Sequence, residues 1–173
     1  TLTLGSGITV HGSQNGSFDG NGTYGTLTGI SYVNQGTINA DTAGKTIYLY
    51  GNWTNNGIIT TSAGNLSSPA NTFTNNGTIQ VNAGTTTLGS TSTNLVNNTG
   101  SIEVWDGGFS ADGPFRQTAG EVFLNGGTLR NTTENLVFDG GWLRGSGAIS
   151  LVNDHRLENN GAILQPTGIL MID

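Results

Sequence analysis

The side chains able to do acid–base, nucleophilic or metal chemistry are few in this 173-residue chain: two histidines, no cysteine, eleven carboxylates and five lysines and arginines. A serine nucleophile needs a base beside it. Neither His11 nor His155 stands in a Gly-x-Ser-x-Gly elbow, and Gly5-Ser6-Gly7 and Gly145-Ser146-Gly147 read as plain loops among 29 glycines. The lack of cysteine excludes disulfides, thiolate-ligated zinc and thiol chemistry. The most regularly placed carboxylates are Asp112, Glu134 and Asp154, which fall at similar places in three successive sequence repeats. Carboxylates stacked from adjacent turns of a repeat could hold calcium, bind sugar or pair for glycoside chemistry. With Arg116, Arg130 and Arg156 nearby in the sequence, they read equally as a solvated edge of offsetting charges, and that is the expectation here. Asp19-Gly20-Asn21-Gly22-Thr23 begins like a calcium loop, but Tyr24 and Ile30 stand where that loop needs Gly and Glu. No catalytic, metal or cofactor-binding residue is assigned; no cofactor is expected, and the chain is expected not to be an enzyme.

These residues must be positioned by elements with little helical character. Charged residues make up 9% of the chain, against about 25% in an average soluble domain, and the excess lies in Gly, Asn, Thr and Ser, which favour turns and strands. Low charge with ample Ile, Leu, Val and Phe argues against disorder. A net charge of −6 with five basic residues is poorly suited to nucleic acid or to an anionic membrane, and no apolar run is long enough for a transmembrane helix. The chain opens on Thr1 rather than Met, which reads as a processed or excised chain.

One motif recurs: a polar pair, Gly, and an apolar residue two places on. The glycines are Gly16, Gly36, Gly57, Gly77, Gly100, Gly120, Gly141 and Gly161, at intervals of 20 to 23 residues. A fixed period of this size marks a solenoid. Two places after each Gly stand Phe18, Ile38, Ile59, Ile79, Ile102, Val122, Leu143 and Ile163; the next residue is mostly polar. That alternation is the signature of a strand with one buried face. Further apolar positions precede the Asn-Gly turn (Trp53, Phe73, Val96, Phe115, Val137, Leu157) and follow a later small-residue turn (Ile47 and Leu49, Leu66, Leu88, Phe109, Leu129, Ile149, Ile169). The expectation is an all-β, single-stranded parallel β-helix of about eight coils with three short strands each. Inward columns would be aliphatic, aligned Asn would form a hydrogen-bonded ladder, and each motif Gly would supply an unusual turn conformation. Residues 1–30 fit less well and read as an irregular first coil or cap; residues 31–173 read as the continuous solenoid. The strand-like Ile169-Leu170-Met171-Ile172 end suggests that the solenoid continues or that this edge pairs with another chain.

The segment Gly140-Gly141-Trp142-Leu143-Arg144-Gly145-Ser146-Gly147-Ala148-Ile149, followed by Leu157-Glu158-Asn159-Asn160-Gly161-Ala162-Ile163-Leu164-Gln165-Pro166-Thr167-Gly168-Ile169-Leu170, resembles the β-strand repeat of bacterial autotransporter passengers. The upstream Asn-Asn-Gly-x-Ile copies resemble filamentous-haemagglutinin-type adhesin repeats. Thr167 stands where that family has Gly, and 150–156 is longer than its pattern. The resemblance covers about 31–173 and implies a right-handed β-helix, secreted or on the cell surface, serving as adhesin, stalk or matrix component.

Among outward positions of the last coils, Phe123, Trp142 and Leu164 replace the polar residues of earlier coils, which suggests a contact surface or a place covered by a flanking segment. Flat threonine arrays are not expected, because Thr26/Thr28, Thr72/Thr74, Thr85/Thr87 and Thr91/Thr93 fall at different offsets in their coils. Expected partners are further copies of the chain, end to end or side by side, or cell-surface glycans. The favoured role is structural or adhesive, and the alternative is a carbohydrate-binding or carbohydrate-active β-helix using Asp112, Glu134 and Asp154.

Overall fold

The computed structural model describes residues 1–18, 30–69 and 72–173. The run at 19–23 and the Thr26/Thr28 pair lie outside the described residues. Within them every regular element is a β-strand, and neighbouring strands pair in parallel. Strand Thr78–Val81 shows why: Ile79 and Val81 are buried while Thr78 and Gln80 are half-exposed, the two-residue period of a strand with one wet face. A parallel neighbour requires a crossover; here each crossover is a whole coil of the chain.

Each coil carries three faces. An amide face is built from Leu2–Leu4, Ser31–Asn34, Asn52–Asn55, Thr72–Asn75, Leu95–Asn98, Phe115–Gln117, Leu136–Phe138 and Leu157–Asn159. An isoleucine face follows (Thr9–His11, Thr37–Ala40, Ile58–Thr61, Thr78–Val81, Ser101–Val104), then a return face (Gly16–Phe18, Thr46–Leu49, Asn65–Ser68, Thr85–Leu88, Gly108–Ala111). In the last three coils the second and third faces fuse into the long strands Glu121–Asn131, Trp142–Leu151 and Ile163–Ile172, so the three-short-strand pattern belongs to the earlier coils. Gly126 and Gly145, with φ of 96° and 104°, sit where these strands turn the corner, and the register shifts there, between Asn125 and Thr128 and between Gly145 and Gly147.

The core is a set of columns. Ile38, Ile59, Ile79, Ile102, Val122 and Leu143 lie directly over one another and are essentially inaccessible to water. Each contributes roughly 1.5–3 kcal/mol through burial. The ends of this column differ from the equal-spacing expectation. Its first member is Val10, not Phe18, which instead stacks on Leu49 of the return face. Its last is Leu164, not Ile163, which stacks on Trp142. On the amide face the column runs Tyr32, Trp53, Phe73, Val96, Phe115, Leu136, Leu157, so Leu136 takes the place expected for Val137. On the return face Thr86, not Leu88, continues the column of Ile47 and Leu66, and at the end Ile172, not Ile169, stacks on Ile149. Residues 1–18 supply a first coil in register with the second on all three faces.

A second interior column is polar. Asn34, Asn55, Asn75, Asn98 and Gln117 are fully buried or nearly so. Each Asn donates from Nδ2 to the side-chain oxygen above, at 2.8 Å along the Asn series and 3.1 Å from Asn98 to Gln117. At the lower end Asn34 Oδ1 accepts the Gly36 N–H; at the upper end Gln117 Nε2 donates to the carbonyls of Gly140 and Trp142. Leu4 and Phe138 flank the column. A buried amide column is tolerated only when its groups are satisfied in this way.

The motif glycines are required by close approach rather than by an unusual turn at most positions. At Gly77, whose φ is not positive, an added Cβ would lie 2.2 Å from the Gly57 carbonyl oxygen in the coil below. In the first coil the corresponding station is Ile8, whose carbonyl accepts the Thr37 N–H; no described coil lies beneath it, and a side chain is accommodated.

Candidate contact site on the outer face

The isoleucine face presents two outward columns. One runs Thr37, Ile58, Thr78, Ser101, Glu121, Trp142, Ile163; the other runs Asn39, Thr60, Gln80, Glu103, Phe123, Arg144, Gln165. Both change from short and mostly polar to charged and aromatic over the same coils. Because rungs stack without slippage from Thr37 to Arg144, the side chains meet in fixed combinations. Gln80 Nε2 donates to Glu103 Oε2 at 3.0 Å, and Ser101 Oγ donates to Glu103 Oε1 at 3.4 Å and Glu121 Oε1 at 3.3 Å. Arg144 reaches back one coil, its Nε 2.6 Å from Glu121 Oε2. The same guanidinium lies 5.0 Å from the centroid of the Phe123 ring, and Phe123 meets Trp105 edge-on at 6.0 Å. The hydrogen bond and charge of Glu121 hold Arg144 above its ordinary pKa, so it is cationic throughout the physiological range. Exposed pairs of this kind add little stability; their effect is to fix the orientation of the groups.

Trp142 is 42% exposed and Trp105 39%. A shallow groove of about 500 Å³ runs beside Trp142, lined by Ser101, Thr118, Gly120 and Glu121 among others. A smaller one, about 220 Å³, lies between Trp142, Glu121, Arg144 and Gln165. The indole therefore stands between two depressions, with a carboxylate shared by both.

The structure distributes the residues singled out in the sequence. Phe123 and Trp142 lie on the same outer face but in adjacent columns, since Phe123 stacks under Arg144 and Trp142 over Glu121. Leu164 does not join them: its column is the inward one of Leu143, and it is accessible because it belongs to the last coil. Asp112 accepts hydrogen bonds from Ser110 Oγ at 2.6 Å and Thr132 Oγ1 at 3.1 Å, and lines a separate groove with Arg130. Glu134 lies in the loop after Asn131, where its N–H bonds Asn131 Oδ1, and Asp154 sits at a turn with φ 62°. Among the described residues no three His, Asp or Glu side chains converge closely enough to hold a metal ion. Arg116 instead pairs with Asp139, which also accepts from Asn160 at 2.8 Å; these contacts, the Asn160 bond first, hold the Asp139 carboxyl below its ordinary pKa. Neither Trp105 nor the pairing of Glu121 with Arg144 is among the candidates the sequence motif singles out. The available signal was the outward column Glu103, Phe123, Arg144, in which charge and ring alternate by coil.

Compared with protein-family models, with curated proteins and with solved structures, the chain has no match in any of the three.

Proposed function

We propose that this β-solenoid is a secreted or cell-surface structural and adhesive element, a stalk, filament or matrix subunit, that works by contact along its outer face. The observation that carries the reading is the patch of Trp105, Phe123, Trp142, Glu121 and Arg144 on a regular stack of coils, with Arg144 anchored by Glu121, Trp105 and Arg144 packed on Phe123, and Trp142 exposed beside them. Exposed indoles rimmed by polar groups are the composition of contact surfaces. The stack supplies rigidity, because each interior rung is paired above and below and the amide column is satisfied from Asn34 to Gln117.

The test uses the purified chain. Light scattering and electron microscopy report filaments, and co-sedimentation with bacterial and epithelial cell envelopes reports adhesion. Filaments, or retention on either envelope, are expected. A chain that remains a monodisperse monomer at high concentration and sediments with neither envelope overturns the proposal.

A further inference from the structure

We infer that the patch binds a neutral oligosaccharide, with Trp142 as the stacking platform and Glu121, Arg144 and Gln165 as the hydrogen-bonding rim; this rests on the contact reading above. Successive outward residues on one face are two positions apart, and successive coils are one strand spacing apart. Phe123 lies one coil below Trp142 and two positions further along the face; Trp105, just past the end of strand Ser101–Val104 in the coil below Phe123, meets the Phe123 ring edge-on at 6.0 Å. The step from Trp142 to Phe123 combines about 6.6 Å of strand rise with about 4.8 Å of strand spacing, roughly 8 Å in all, and Trp105, packed on Phe123 from the coil below, extends the row of rings. That row suits a short extended chain better than a single small molecule.

The chemistry of the patch selects the class. A pyranose ring has an apolar C–H face and an edge of hydroxyls that both donate and accept. An indole offers a flat apolar body for the first. The second needs acceptors and donors beside that body, which the Glu121 carboxylate, the guanidinium and the Gln165 amide, lining one groove with Trp142, provide together. Arg144 is already anchored by Glu121 and packed on Phe123, so binding freezes few additional rotamers. Charge argues for a neutral ligand. Glu121 offsets Arg144, Glu103 leaves the patch net negative, and the whole chain carries −6; the carboxylate of an acidic sugar would meet repulsion. The grooves on both sides of Trp142 leave room for ring substituents and for the chain to continue past the platform.

The probes are cellohexaose, xylohexaose and mannohexaose, titrated into the purified chain by calorimetry and by tryptophan fluorescence, with tri-galacturonate as the acidic comparison. At least one neutral hexasaccharide is expected to bind, and tri-galacturonate to bind more weakly. Trp142→Ala should weaken the neutral ligand about tenfold or more, with smaller losses for Trp105→Ala and Glu121→Gln and none for Tyr50→Ala, which lies outside the patch. Far-UV circular dichroism confirms that each variant is folded, and Trp142→Leu, which keeps apolar bulk without the aromatic face, should lose affinity as Trp142→Ala does. The inference is overturned if none of the three neutral probes binds, or if binding survives both Trp142 variants. Envelope co-sedimentation separates the two proposals: retention without saccharide binding overturns only this inference, whereas failure of retention and of filament formation overturns the contact role itself.

Discussion

The amide column makes a quantitative prediction about coupling. In Asn75→Leu the new side chain has a similar branched shape, so no large cavity opens. Two buried groups lose their partners: Asn55 Nδ2 loses Asn75 Oδ1, and Asn98 Oδ1 loses the Asn75 donor. Asn55 keeps weaker contacts to the Gly57 and Thr78 carbonyls at 3.3 and 3.2 Å. The carbonyls of Gly77 and Ser101 also receive Asn75 Nδ2, at 3.3 and 3.0 Å, and that of Gly77 retains the Ser101 N–H. At about 2 kcal/mol for each orphaned group and a gain of roughly 1.5 kcal/mol from the apolar side chain, the single variant should lose about 2–3 kcal/mol. Asn98→Leu takes the side-chain acceptor from Asn75 Nδ2, which keeps the Gly77 and Ser101 carbonyls, and the donor from Gln117 Oε1, and should cost about the same. The double variant removes the Asn75–Asn98 bond together with both its partners and leaves only Asn55 Nδ2 and Gln117 Oε1 without their side-chain partners, two groups rather than four. Its cost should be about 1–2 kcal/mol, no more than either single, where simple addition gives about 5. Equilibrium urea unfolding, followed by tryptophan fluorescence and far-UV circular dichroism with m-values compared between variants, measures all three. Losses that add would refute the view that the column acts as one hydrogen-bonded unit.

Three further outcomes follow from single positions. Thr61 and Thr86 bury Oγ1 without a hydrogen-bond partner among the described residues, each inside an otherwise apolar stretch of its column, so Thr61→Val and Thr86→Val should each raise stability by about 1 kcal/mol in the same urea assay; a loss at either site would show that its hydroxyl has a partner. Gly77→Ala, whose Cβ would meet the Gly57 carbonyl at 2.2 Å, should destabilise by about 2 kcal/mol or more, while Gly16→Ala, which meets nothing within 4 Å, should be nearly silent; equal effects on thermal midpoint would contradict the close-approach account. Asp139 has its pKa depressed in the folded chain by Asn160 and Arg116, so its stabilising contribution is complete above the ordinary aspartate pKa and is lost as pH falls through the lower folded value. Melting between about pH 5 and pH 2 should show a shallower acid-side decline in Asp139→Asn than in the parent; identical slopes would remove Asp139 from the account.

The sequence determined the architecture, because a solenoid repeats one local solution: Ile38, Ile59, Ile79 and Ile102 recur at the coil length, and each alternates with polar neighbours. Their stacking was legible for the same reason that any strand's buried face is. The aligned Asn series was legible too, since a polar residue repeated at one offset must find its partner in the next copy. Counting failed where the coil changes length or has no neighbour: Phe18 and Ile163 sit at equal intervals yet stack elsewhere, because register is set by backbone pairing rather than by the nearest glycine. The reason for the glycines was also hidden, since a carbonyl 2.2 Å from an absent Cβ is a contact between residues about twenty apart. The patch was legible only in part. Phe123 and Trp142 could be named from their offsets, but the reach of Arg144 back to Glu121, the edge contact of Trp105 and the departure of Leu164 into the inward column depend on how coils lie over one another. Periodicity fixes which residues face outward; only the tertiary stacking decides which of them touch.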